Sequence, residues 1–128
     1  MRIASLFAVV ILACASATAH AAACPDQAEV QATLQKYVET ELWSPSERDT
    51  WNISNISDFN FGPIKAGHLI EKQMEYGKAA QEVCPVRIEY SFKVTHEDGR
   101  VETTSKGAGE THFFYLNAFD EWTYKVGR

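Results

Sequence analysis

Val30, Leu34, Tyr37, Val38 and Leu42 recur at intervals of three and four, the spacing that sets side chains on one face of a helix. Acids and glutamines fill the other positions, and Glu41 alone interrupts the stripe. The pattern predicts an amphipathic helix over residues 25–43. Pro25 suits its first turn and Asp26 can cap it. Ser44-Pro45-Ser46 is expected to end it, because proline cannot continue a helix. Such a stripe needs a sheet to lie on.

Beyond the helix the period falls to two. Trp51, Ile53, Phe59 and Phe61 share one parity and Ile56 breaks it, which reads as an irregular strand over 51–61 with a bulge. Gly62-Pro63 turns the chain. Over 64–76, Ile64, Ala66, His68, Ile70, Lys72, Met74 and Tyr76 hold the even positions, and this alternation predicts a strand despite Lys72 in its apolar face. Residues 77–83 read as a loop or a helical turn. The cleanest alternation spans 86–95. Val86, Ile88, Tyr90, Phe92 and Val94 point one way, while Arg87, Glu89, Ser91, Lys93 and Thr95 point the other. One face is thus buried and one wet. Asp98-Gly99 is a strong hairpin signal. Residues 101–106 return from it, Gly107-Ala108-Gly109 bends the strand, 111–116 continues, and 122–126 closes the sheet.

The fold class predicted is α+β, with one N-terminal helix packed on a curled four- to five-stranded antiparallel meander. This order of elements resembles the cystatin-like and NTF2-like architectures over most of residues 24–128. Two departures stand out. Gly107-Ala108-Gly109 is not the Gln-x-Val-x-Gly loop by which cystatins grip cysteine proteases, and an NTF2-like cone carries more helix ahead of its sheet. The resemblance implies architecture, and architecture alone does not give function.

The first 23 residues read as an address. Met1 and Arg2 make a positive start, 3–13 is an apolar run, and 15–23 is small and alanine-rich. That is the layout of a signal peptide, and the run is too short for a membrane span. Ala21-Ala22-Ala23 before Cys24 fits the cleavage site. Ile11-Leu12-Ala13-Cys14 is a rival lipobox that would tether the same domain through a lipid at Cys14. The expected division is therefore a signal peptide at 1–23 and a single exported α+β domain at 24–128, periplasmic or secreted. The rival is a membrane-anchored lipoprotein. Cys24 and Cys84 remain after cleavage, and two cysteines in an oxidising compartment most simply form one disulfide.

Charge narrows the field further. Removing residues 1–23 removes Arg2 and no acid, so the formal charge moves from −5 to −6. Such a chain lacks the basic face that nucleic acid requires. Phosphate-loop and serine-nucleophile motifs are absent. His68, His96 and His112 match no ligand spacing, and the acid pairs Glu71/Glu75 and Glu97/Asp98 read as solvated charge. No catalytic residue, metal or cofactor is expected, and the chain reads as a non-enzyme. The aromatic content is more suggestive. Trp51, Phe113, Tyr115 and Tyr124 are candidate partner contacts, because exposed aromatics mark partner surfaces. Glu97 and Asp98 join them as loop acids able to steer a basic partner.

These features point to an exported protein-binding module, an inhibitor or immunity protein against a cell-envelope hydrolase or toxin. A second reading is an NTF2-like pocket for a small ligand, binding or enzymatic, with His68 and Tyr90 as candidate pocket residues. A third is a structural accessory of an envelope complex.

Overall fold

The computed structural model describes residues 24–127. The expected signal peptide, its cleavage zone and Cys14 lie outside the described residues.

Helix α1 (Gln27–Tyr37) begins with a capping box. The Asp26 carboxylate accepts from the Glu29 N–H at 2.8 Å, and the Asp26 N–H donates to the Glu29 carboxylate at 3.0 Å. Two of the amides that a helix start leaves open are thereby satisfied. The helix runs on as a wider π-helical turn (Val38–Leu42), closed by the Trp43 N–H donating to the Val38 carbonyl at 2.9 Å. Ser44-Pro45-Ser46 does end this helix, but it also starts a second one, α2 (Pro45–Trp51), which the periodicity did not predict. Proline lacks an N–H, and the first helical turn does not need it. Ser44 caps α2 by accepting from the Glu47 N–H at 3.3 Å. Arg48 then reaches back, donating to the carbonyls of Trp43 at 2.8 Å and Glu39 at 3.0 Å. Trp51 therefore belongs to a helix and not to the strand assigned from its parity.

The strands are β1 (Ile53–Phe61), β2 (Lys65–Ala66), β3 (Ile70–Lys72), β4 (Gln81–Arg87), β5 (Tyr90–His96), β6 (Val101–Lys106), β7 (Thr111–Leu116) and β8 (Trp122–Gly127). All pair antiparallel. One sheet has the order β1-β5-β6. The other runs β2-β4-β7-β8, with β3 also on β4. Followed along the chain, these are four successive lines of a meander: β1 to β3, β4 to β5, β6 to β7, and β8. This is the α+β class read from the sequence, a helix packed on an antiparallel sheet.

Three of the four lines break at one level. Phe61 pairs Tyr90 above the break, and Lys65 pairs Arg87 below it. Tyr90 pairs Lys106 above, and Val86 pairs His112 below. The 86–95 strand is thus two strands with a bend at Ile88-Glu89, although Val86, Ile88, Tyr90, Phe92 and Val94 are all buried as their parity predicted. The predicted strand over 64–76 shrinks to β2 and β3, and its even positions Ala66, His68, Ile70 and Tyr76 are exposed. That segment lies at the sheet edge, where only Ile64, Lys72 and Met74 of the even set are half-buried.

β1 carries register shifts between Ile53 and Asn55 and between Ser57 and Asn60, with Asp58 at φ 55°. Each extra residue flips the parity. Ile53, Ile56 and the half-buried Phe59 and Phe61 consequently all join the core. Phe59 lies 5.4 Å from Phe92 and Phe61 lies 5.5 Å from Tyr90.

Val30, Leu34 and Val38 are fully buried in the same core. Three ties hold α1 there. Gln27 donates to the Gly62 carbonyl at 3.1 Å and accepts from the Ile64 N–H at 3.2 Å, across the first break. The Trp122 indole donates to Glu29 at 2.9 Å. A disulfide joins Cys24 to Cys84 on β4, with Cα atoms 5.7 Å apart. Among the described residues no helix is long and apolar enough to cross a membrane.

Candidate functional site

The β5–β6 hairpin and the end of α2 meet at one end of the molecule. The hairpin closes through the His96 N–H to the Arg100 carbonyl at 2.8 Å, and Gly99 takes φ 92° as the turn requires. Asp98 accepts from the Arg100 N–H at 2.9 Å. The Glu97 N–H donates to the Asn52 carbonyl at 2.8 Å. Asn52 sits in the left-handed region at φ 54° and ends α2. That bond fixes Trp51 beside the Glu97-Asp98 turn, and Trp51 is 60% exposed.

Charge gathers at the same end. Glu47, Asp49, Glu97, Asp98 and Glu102 are exposed there. Glu47 orients the indole by accepting from Trp51 Nε1 at 3.1 Å. Two arginines oppose these acids. Arg48 is engaged with the carbonyls of Trp43 and Glu39, and Arg100 lies 3.7 Å from Glu102. Glu47 thus holds the exposed indole, and the acidic Glu97-Asp98 turn is tied to the backbone of the next residue, Asn52. Of the sequence candidates, Trp51, Glu97 and Asp98 come together here. Glu47 and Arg48 were not among those candidates, although Ser44 followed three positions later by Glu47 is a helix-start signal.

The other aromatic candidates lie elsewhere. Phe113 is only 9% exposed, so it offers no free surface. The Lys72 ammonium stands 4.8 Å over its ring, and Gly127 packs so close that a Cβ there would lie 2.5 Å from it. The short β3 segment covers this face. Tyr115 is half-buried and lines a cavity of about 160 Å³ with Met74, Glu75 and Lys125. The Glu75–Lys125 ion pair there, 2.6 Å long, holds the Glu75 carboxyl below its usual range.

Tyr124 faces the helix. Its ring lies 5.4 Å from Tyr37, 5.2 Å from His112 and 5.2 Å from Phe114. Tyr90 and Tyr124 influence each other's ionisation within this cluster. Burial is the main cause that pushes the Tyr90 phenol up to about 12 and the Tyr124 phenol further up. His112 is 1% exposed, and burial holds its imidazole below the usual histidine range. Its Nδ1 is 3.4 Å from the Val86 carbonyl and its Nε2 is 4.0 Å from Glu110. The structure places the two pocket candidates apart. Tyr90 is in this buried cluster, whereas His68 is exposed between β2 and β3.

Two cavities flank the break in the sheet. One, about 450 Å³, is walled by Lys65, Arg87, Glu89 and Glu110. The other, about 420 Å³, is walled by Phe61, Tyr90, Ser105 and Lys106. Among the described residues no three His, Cys, Asp or Glu side chains come together to hold a metal.

No protein-family model matches the sequence, and no curated protein and no solved structure matches it.

Proposed function

We propose that this protein is an exported binding module that holds a basic protein partner of the cell envelope, a hydrolase or a toxin, as an inhibitor or immunity protein. The observation that carries the reading is the bond from the Glu97 N–H to the Asn52 carbonyl, 2.8 Å long. It ties an acidic turn to Asn52, the residue that follows the exposed Trp51. Tryptophan is among the residues that dominate interface energetics, and an acidic rim accelerates capture of a basic partner. Export rests on the charged, apolar and small-residue order of residues 1–23. The Cys24–Cys84 disulfide supports it, since such bonds persist in oxidising compartments.

A tagged, oxidised chain of residues 24–128 tests the reading. It is used to capture partners from periplasmic extract and from toxins secreted by competing strains, at moderate salt. The expected result is one hydrolase or toxin, lost with Trp51→Ala and lost again when Glu97 and Asp98 are both reversed to lysine. Truncating a central tryptophan anchor typically costs about 2 kcal/mol or more of binding. Capture that survives both variants, or a folded protein that retains nothing, overturns the proposal.

A further inference from the structure

Among the described residues nothing pairs with the outer edge of β6, and we propose that two copies of this chain pair there, β6 against β6, antiparallel. In the β1-β5-β6 sheet the two edges are β1 and β6. Folded proteins usually blunt such edges with bulges, prolines, covering segments or charged side chains. β1 does so, with its two register shifts and the left-handed Asp58. β6 has no bulge and no proline, and its two charges, Glu102 and Lys106, are of opposite sign. It pairs β5 through six unbroken steps, from Tyr90 with Lys106 to Thr95 with Val101. Its sequence Val-Glu-Thr-Thr-Ser-Lys contains no proline, and no residue of it is buried.

The hairpin register says which groups are free. The His96 N–H bonds to the Arg100 carbonyl. In an antiparallel ladder the bonded pairs recur every second residue. Glu102, Thr104 and Lys106 therefore turn their backbone groups toward β5, and Val101, Thr103 and Ser105 turn theirs outward. Three amides and three carbonyls face away from the sheet along one straight edge.

Charge selects the occupant and the register. A second β6 can bond only where outward groups meet outward groups, so registers move in steps of two residues. With Thr103 opposite Ser105 of the other copy, Glu102 falls opposite Lys106, twice by symmetry. With Thr103 opposite its own copy, Arg100 falls opposite Lys106. One step further, Glu102 faces Glu102. Opposite charges across a pair stabilise and like charges destabilise, so the first register is favoured over these two. With Val101 opposite its own copy Arg100 also meets Glu102, but Thr103 then falls opposite Gly99 of the turn and most of β6 is left without a partner strand. Within one chain Glu102 lies 3.3 Å from His96 and 3.7 Å from Arg100, while Lys106 forms no ion pair among the described residues. Such a dimer is symmetric and closed. It joins the two three-stranded sheets into one of six strands.

Sedimentation analysis of the oxidised mature protein over a concentration series tests this. The expected result is a mass that doubles as concentration rises. Thr103→Pro removes one outward N–H while leaving every bond to β5, and proline is tolerated on an edge. It is expected to stay monomeric with an unchanged circular dichroism spectrum. Glu102→Lys and Lys106→Glu are each expected to weaken dimerisation tenfold or more, and the double variant to restore it. A wild-type protein that is monomeric at millimolar concentration, or a Thr103→Pro protein that dimerises like it, overturns the proposal. Failure of the double variant to rescue overturns the register.

Discussion

A Cβ placed on Gly107 would stand 2.0 Å from the carbonyl oxygen of Ile88. The breaks of two neighbouring lines, β4 to β5 and β6 to β7, thus meet backbone to backbone, and Gly107 also takes φ 94°, a conformation that disfavours side chains. Gly77 takes a similar φ of 82°, but a Cβ there would meet nothing within 4 Å. The pair separates clash from conformation. Gly77→Ala is expected to cost about 1 kcal/mol. Gly107→Ala is expected to cost more than about 3 kcal/mol, because backbone and not a flexible side chain must give way. Denaturant midpoints with unchanged slopes read both values. Equal costs would show that the breaks do not depend on this approach.

The disulfide closes a loop with a sequence separation of 60 between Cys24 and Cys84. Loop-closure entropy alone makes such a crosslink worth about 4 kcal/mol. Reduction, or Cys84→Ser, is expected to lower stability by about that much. Amide exchange should rise most in the first turn of α1, which the bond tethers, and least in the β5–β6 hairpin. A hairpin that loosens equally would mean the bond holds the whole fold and not mainly its helix.

His112 sets an acid limit. Burial lowers its pKa in the folded state, so the unfolded chain binds the proton more readily. Its contribution to stability is then complete above the unfolded value of about 6.5, and is lost as pH falls below that value toward the lower folded one. Denaturant midpoints between about pH 7 and about pH 5 should fall for the wild type. His112→Gln should flatten that dependence while lowering stability at every pH. An unchanged slope in the variant would assign the acid sensitivity to carboxylates instead.

Tyr90 sets an alkaline limit of the opposite sign. Its folded phenol holds its proton to about 12, above the unfolded value near 10. Stability is complete below about 10 and declines as pH rises toward about 12. Ultraviolet titration of phenolate should show buried tyrosines ionising only as the protein unfolds. Tyr90→Phe removes this titration and should flatten the alkaline decline. A wild-type protein whose buried tyrosines all ionise near pH 10, while it stays folded, would contradict the cluster.

Trp51 is exposed, and its ring is held by one hydrogen bond to Glu47. Trp51→Ala is expected to change stability by less than about 1 kcal/mol. A thermal scan checks this before any binding loss is read as a lost contact. A large drop in melting temperature would make the residue structural.

Residue type and spacing alone made the local features of this protein legible. The stripe of Val30, Leu34 and Val38, the buried parity from Val86 to Val94, the Asp98-Gly99 turn and the paired cysteines are all written there. Each is a local property of helix, strand or turn, or a count. The capping signal of α2 was also present at Ser44, Pro45 and Glu47. It is hidden by an ambiguity, because proline stops one helix as readily as it starts another. The remaining features arise from packing between distant segments. Alternation continues straight through Ile88-Glu89, so no spacing reveals that the strand changes sheets there. That bend exists because Gly62 and Gly107 let neighbouring backbones close on it. Which aromatics stay exposed was likewise not local. Phe113 is covered by Lys72 and Gly127, and Trp51 is brought to Glu97, by chain segments distant in sequence. Periodicity tells which residues share a face, but only the packed layers tell which face meets water.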